Sequence, residues 1–283
     1  MIRLDAATVL LQWATGGLAF LWVTSRRREL GIGYGWLLRG VYLTMVLGAV
    51  AAGRLHPNTG RDVLAVLEAM GVVVALVVSI GRRRAGVVGE RTRRERSSAR
   101  VAAMTGIDRR PPDFDPATPE FPPVLDLLAP AVGLVALVVA AVADGGPTGL
   151  AIARTLVGAA FLGAVTDAML LGHWYLVQPG LGRGPLLELV RWTMLVWPAE
   201  VAVMLFPTGM ISVLTGAVDD GWNGTLGWFW VACAITTIVL CVVTRKALEE
   251  RSYSAVMAAT GLLYLAILTA FGTDLVARAV LTR

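Results

Sequence analysis

Charge is what this sequence lacks first. Only 16% of its 283 residues are Asp, Glu, Lys or Arg, where a soluble domain of this length carries roughly 25%. So few charges cannot make a water-facing surface, and the solvent this composition fits is lipid. Histidine and cysteine are almost absent, with two of each. A bis-histidine haem needs two imidazoles at one depth. His56 falls in a loop on one side and His173 near the opposite side, so such a haem is not expected within a single chain; His/Met ligation with Met169 or Met194 stays open, with nothing further to support it. Cys233 and Cys241 are eight residues apart in one apolar run, about 12 Å along a helix, too far to bridge. There is no HExxH, Cys pair or His cluster for zinc, and no GxSxG elbow. The glycine runs from Gly31 to Gly35 and from Gly180 to Gly184 lack the strand-to-helix setting of a phosphate loop and read as turns at membrane borders. Metal sites are therefore not expected, and no motif points to an enzyme.

What is abundant is apolar sequence: 56% hydrophobic residues and a mean hydropathy of +0.69. The apolar residues come in blocks of roughly 18–25, the length that crosses ~30 Å of hydrocarbon as a helix. The fold class is all-α, a polytopic membrane protein of about eight spans at residues 7–24, 33–53, 63–81, 124–144, 150–177, 185–206, 227–243 and 255–277. One membrane domain is expected, with three helices in 1–81, a basic, proline-rich loop at 82–123, and five helices in 124–283. Pro207 and Gly209 should break the sixth span, leaving 210–218 as a separate or re-entrant segment. Within the loop, Val101, Ala102 and Met104 point to a short surface helix, and the prolines of 109–123 to an extended strap.

The net charge of +5 is not a nucleic-acid signature, because the basic residues cluster beside the apolar blocks, as membrane orientation requires. Of the 25 Lys and Arg, 18 fall on the side holding Arg26, Arg82 and Arg245. Five fall on the other side, and Arg39 and Arg154 lie within spans. The asymmetry predicts both termini outside and the loop in the cytoplasm of a cell (inner) membrane. The 82–110 stretch, with ten arginines, is either a solvated orientation signal or a surface for anionic lipid or a partner. No internal repeat is visible.

Ionisable residues inside spans are costly unless paired or hydrated, so each is a functional candidate. Asp167 lies seven residues outward from Trp174, and Glu200 eight outward from Trp192. If both tryptophans mark the interface, the two carboxylates share a depth of about 10–12 Å on adjacent helices. Pro198 frees a carbonyl near Glu200, and Arg191 is placed to link Asp167 with His173. Glu68 is a further candidate, equally readable as packing glue. Thr155, Gly158, Ala159, Gly163, Thr166, Met169 and His173 form a small-residue face for helix packing. Asp274 and Arg278, at i,i+4, should pair. Asp126 reads as a dipole-compatible acid opening its span, and Arg39 and Arg154 as arginines snorkelling to the headgroups. His173, Trp174 and Tyr175 make either an ordinary aromatic belt or a quinone site, with the imidazole bonding a polar head and an aromatic ring stacking on it.

Three function classes follow. The leading one is movement of a proton or small solute through a polar site of Asp167, Glu200 and His173, with other membrane subunits as partners. The second is a redox subunit binding quinone near His173. The third is a structural anchor or assembly protein whose polar groups only hold helices together.

Overall fold

Backbone polar groups find no water inside hydrocarbon, so each apolar block must close its hydrogen bonds within itself as a helix. The computed structural model describes residues 4–105, 114–115, 117–178, 181–250 and 252–282, and among them there is no strand. The helices are α1 (Ala6–Ser25), α2 (Ile32–Ala52), α3 (Thr59–Gly81), α4 (Val88–Thr105), α5 (Leu128–Ala143), α6 (Thr148–Val177), α7 (Gly184–Leu205), α8 (Met210–Leu214), α9 (Thr225–Ala247) and α10 (Tyr253–Leu281). Side-chain caps set several starts, because the first N–H groups of a helix have no intrahelical partner. Asp5 accepts from the N–H groups of Ala7 and Thr8, Asn58 from Arg61, and Ser252 from Ala255.

Among the described residues, seven helices are long and apolar enough to cross a membrane: α1, α2, α3, the segment Pro123–Ala143 that contains α5, α6, α9 and α10. The all-helical, multi-pass architecture expected from the apolar blocks is therefore present. The 22 residues of α7 reach about 33 Å, but Glu188, Arg191 and Glu200 make it more polar than the other seven. The break after it falls where Pro207 and Gly209 predict, with α7 ending at Leu205 and α8 starting at Met210. The basic loop holds more helix than expected. The short helix expected at Val101, Ala102 and Met104 is the end of a longer one: α4 runs 18 residues from Val88 and takes in Arg91, Arg93, Arg94 and Arg96. Of the strap, 109–113 and 116 lie outside the described residues, and 117–122 is non-helical.

The packing has a two-part order that no sequence period announces. In the first half α1 packs on α2 and α5, α2 on α3, and α3 on α5. In the second half α6 packs on α7 and α10, α7 on α9, and α9 on α10. Each half is thus a four-helix ring whose first helix is the most buried, and the halves join chiefly through α1 against α6. The two central helices run in the same direction, since Gln12 lies against Gly158 and Gly16 against Ala159 and Gly163.

That crossing explains the small-residue face of α6. Without a hydrophobic force between helices in lipid, close backbone approach supplies the packing energy, and only small residues allow it. A Cβ on Gly16 or Gly163 would collide with backbone atoms of the partner helix, which cannot move aside as a side chain can. Gly16→Leu is therefore expected to destabilise the protein at the upper end of the ~1–3 kcal/mol range for overpacking, seen as a lower unfolding midpoint in detergent. Gly81→Ala, whose Cβ would meet nothing within 4 Å, should leave the midpoint almost unchanged.

Candidate functional site: a polar stripe along the central helix

Asp5, Thr8, Gln12 and Thr15 are buried and spaced three and four residues apart, which puts them on one face of α1. Each holds an ionisable side chain from another helix, so the stripe organises the buried charge of the bundle. At the Asp5 end, the Thr8 hydroxyl donates to Asp5 at 2.7 Å. Arg61 of α3 forms an ion pair with Asp5, and also donates to Thr8 at 3.2 Å and to the His56 carbonyl at 2.9 Å. Beside this group lies an open cavity of about 360 Å³ lined by Asp5, His56, Asn58, Arg61 and Asp144.

One turn deeper, Gln12 joins a cluster of groups that are buried almost completely. Its amide donates to Asp274 at 3.3 Å, while Arg278 donates to the Gln12 carbonyl at 2.5 Å and to Asp274 at 2.7 Å. The expected Asp274–Arg278 pair is thus present, but as the centre of a larger group. Gly158 leaves the space that the Gln12 amide and the Asp274 carboxyl occupy. Glu200 of α7 enters from the other side. Its carboxyl abuts that of Asp274, with Arg278 and Arg154 as its cationic neighbours. Neither Glu200 oxygen accepts a bond from a donor among the described residues. Two carboxyls can bond to each other only when one carries a proton, because an ionised carboxylate only accepts. Arg154 does not snorkel outward as predicted. It is buried and donates to the Val203 carbonyl at 2.8 Å, so it ties α6 to the end of α7.

Below Gln12, Thr15 donates to Glu68 of α3 at 3.0 and 3.2 Å, over Gly133. Near the same level Gly17 makes room for the ring of Tyr42, whose hydroxyl donates to Asp167 Oδ1. Asp167 Oδ2 has no partner, and the whole side chain is buried. Toward the basic end, Arg39 also departs from the snorkelling expectation. It forms a two-pronged pair with Asp126, with both bonds at 2.9 Å, and Ser25 of α1 donates to the same carboxylate at 2.9 Å. Asp126 is thus the partner of a buried cation rather than a simple dipole-compatible acid. The Phe121 ring covers the guanidinium at 4.5 Å. A cavity of about 50 Å³, lined by Tyr34, Ser25, Arg39, Ser79, Glu120 and Phe121, is large enough for water.

The depth match expected for Asp167 and Glu200 fails. Glu200 meets Asp274 and Arg154, and Asp274 lies at Gly158, nine residues and about 14 Å before Asp167 on α6. The tryptophan reference misled because the two rings stand at different levels: Trp174 lies by Gly33 and Tyr34 at the start of α2, and Trp192 on Phe20, more than a turn inside the end of α1. The two carboxyls belong to separate clusters joined through α1. Arg191 does not link Asp167 to His173, because it is exposed and lines a surface cleft with Trp192 and Leu195.

The His173, Trp174 and Tyr175 run fans out round α6 instead of forming one site. His173 is exposed, with Nδ1 3.1 Å from the Tyr264 hydroxyl of α10. Trp174 bonds to Gln178 at 3.1 Å, and Tyr175 is buried and donates to the Gly182 carbonyl in the following turn. Among the described residues no three His, Cys, Asp or Glu come together as metal ligands. Comparison with protein-family models, with curated proteins and with solved structures finds no match for this chain.

Burial pushes the Asp5 carboxyl up, but the Thr8 hydrogen bonds, the Arg61 charge and the Ala7 N–H together outweigh it and hold Asp5 below the ordinary aspartate value of 3.8. A carboxylate with a lowered folded-state pKa stabilises above its unfolded-state value, and that contribution is lost as the pH falls through the folded one. Unfolding midpoints should therefore drop on acidification below about pH 4. Asp5→Asn should lower the neutral-pH midpoint and flatten that acid limb; a limb as steep as in the wild type would refute this role for Asp5.

Proposed function

We propose that this protein takes up and passes protons within a cell (inner) membrane, as an eight-span protein with both termini outside and the basic loop in the cytoplasm. The observation that carries the reading is a set of four buried carboxyls, Glu68, Asp167, Glu200 and Asp274, arranged round α1 between Asp5 at one end and Asp126 at the other. Three of their oxygens, both of Glu200 and Oδ2 of Asp167, have no donor. Burying a carboxylate without donors costs several kcal/mol, whereas a protonated carboxyl has the hydrogen that such a site needs. The pair formed by Glu200 and Asp274 stores a proton between its oxygens. Tyr42 holds Asp167 for a second step. The two cavities, at Asp5 and at Arg39, are where water reaches the ends of the stripe. Glu68 and Thr15 form a side branch one turn from Gln12. Anionic lipid at the 82–110 loop and other membrane subunits are the proposed partners.

A second reading, quinone binding, is favoured by one observation, the imidazole–phenol pair of His173 and Tyr264 on the exposed flank of α6 and α10. Both can be tested in one preparation. In liposomes with an internal pH dye and an imposed potassium potential, Asp167→Asn and Glu200→Gln should each slow proton movement on the order of 10²-fold, the scale of a positioned proton-transfer group. Unchanged flux in both variants would sink the proton reading. A quinone that co-purifies and is lost in His173→Ala would favour the second.

A further inference from the structure

Where α1 ends and α7 begins, a cleft of about 430 Å³ opens at the basic end of the bundle, lined by Arg27, Leu187, Glu188, Arg191, Trp192 and Leu195. Its walls are of two kinds. Leu195 is two-thirds exposed and Trp192 is exposed beside it, so this flank of α7 faces outward and is apolar. The rim is cationic. Arg26 at 2.5 Å and Arg27 both pair with Glu188, and Arg27 also lies 3.8 Å from Glu29. The rim carboxylates are therefore already taken. Arg191, one helical turn from Glu188, has no hydrogen-bond or ion-pair partner among the described residues and is exposed.

We infer that this cleft holds one anionic phospholipid of the leaflet on the basic side, its phosphate on Arg191 and its acyl chain along Leu187, Trp192 and Leu195. The location decides the class of occupant. With α7 lying in the bilayer beside α6 and α9, an outward apolar wall is covered by acyl chains, and an arginine at its edge lies at headgroup level beside an interfacial tryptophan. Guanidinium binds phosphate oxygens two at a time. The charge decides between lipids. A zwitterionic headgroup brings a further cation to a rim already lined by Arg27 and Arg191, where Glu188 and Glu29 are paired, whereas an anionic headgroup adds none. The site lies outside the buried stripe, and the inference stands or falls independently of proton movement.

The test is a thermal-unfolding titration of the full chain in non-ionic detergent with dioleoylphosphatidylglycerol, dioleoylphosphatidylcholine and inorganic phosphate. Phosphatidylglycerol should raise the midpoint saturably, and the other two should do so far less. Arg191→Gln should keep the wild-type midpoint without lipid, since its guanidinium holds nothing in the protein. It should weaken the phosphatidylglycerol response roughly tenfold or more, the worth of one charged hydrogen bond. Arg245→Gln, an exposed cation elsewhere at the basic end, should leave that response unchanged. Wild-type affinity in Arg191→Gln, an equal response to phosphatidylcholine, or an equal response to free phosphate would each overturn the proposal.

Discussion

A charge buried at membrane depth has to be matched by the protein itself, because no water is at hand to do it. That constraint shapes this structure. The matching groups are concentrated on a single helix: α1 meets Arg61 with Asp5 and Thr8, the Asp274–Arg278 pair with Gln12, Glu68 with Thr15, and Asp126 with Ser25. The bundle is built so that this helix can stand at its centre. Its close crossing with α6 needs Gly16 and Gly163, and the glycines flanking the polar groups, Gly158, Gly133 and Gly17, open the space that the carboxyls and Tyr42 fill. Packing and electrostatics are thus one arrangement. A side chain at Gly158, Gly133 or Gly17 would displace a buried polar side chain, and one at Gly16 or Gly163 would displace a helix.

The same arrangement separates buried groups that are fully matched from buried groups that are not. The Arg39–Asp126 pair satisfies both partners, with Ser25 and Phe121 completing its surroundings. A buried pair so fully matched holds two elements together, and removing one partner would cost about 3–5 kcal/mol. Glu200 and Asp167 differ because they are buried as deeply yet leave acceptors without donors. Buried acceptors of that kind are few in folded proteins and call for a specific cause. On the proposed function, that cause is a proton held at the carboxyl.

Much of this was legible in the chain. Block lengths gave helical spans, Pro207 gave the break after α7, and the i,i+4 spacing gave the Asp274–Arg278 pair. Asp167, Glu200 and Glu68 stood out because charged residues are rare in apolar runs. The stripe on α1 was written in the sequence too, at the spacing Asp5, Thr8, Gln12, Thr15. It was easy to pass over because threonine and glutamine carry no charge and apolar helices tolerate them. What spacing could not supply was rotation and partner. Arg39 and Arg154 lie where snorkelling is the usual outcome, and only the position of Asp126 and of the end of α7 turns them inward. Depth taken from tryptophan failed because Trp174, at the start of α2, and Trp192, beside Phe20, do not stand at one level. The two-part packing order left no trace in sequence, since helices at matching places share contacts and not residues.

The central claim is that the carboxyls round α1 bind and release protons while the protein stays folded. Charge displacement after a pH step, recorded with the protein in vesicles adsorbed on a solid-supported membrane, tests this without requiring complete transport. The account predicts a transient current that follows the pH step and is lost when Asp167, Glu200 and Asp274 are replaced together by their amides in a protein that still folds. A current of the same size in that variant, or none in the wild type, would contradict it.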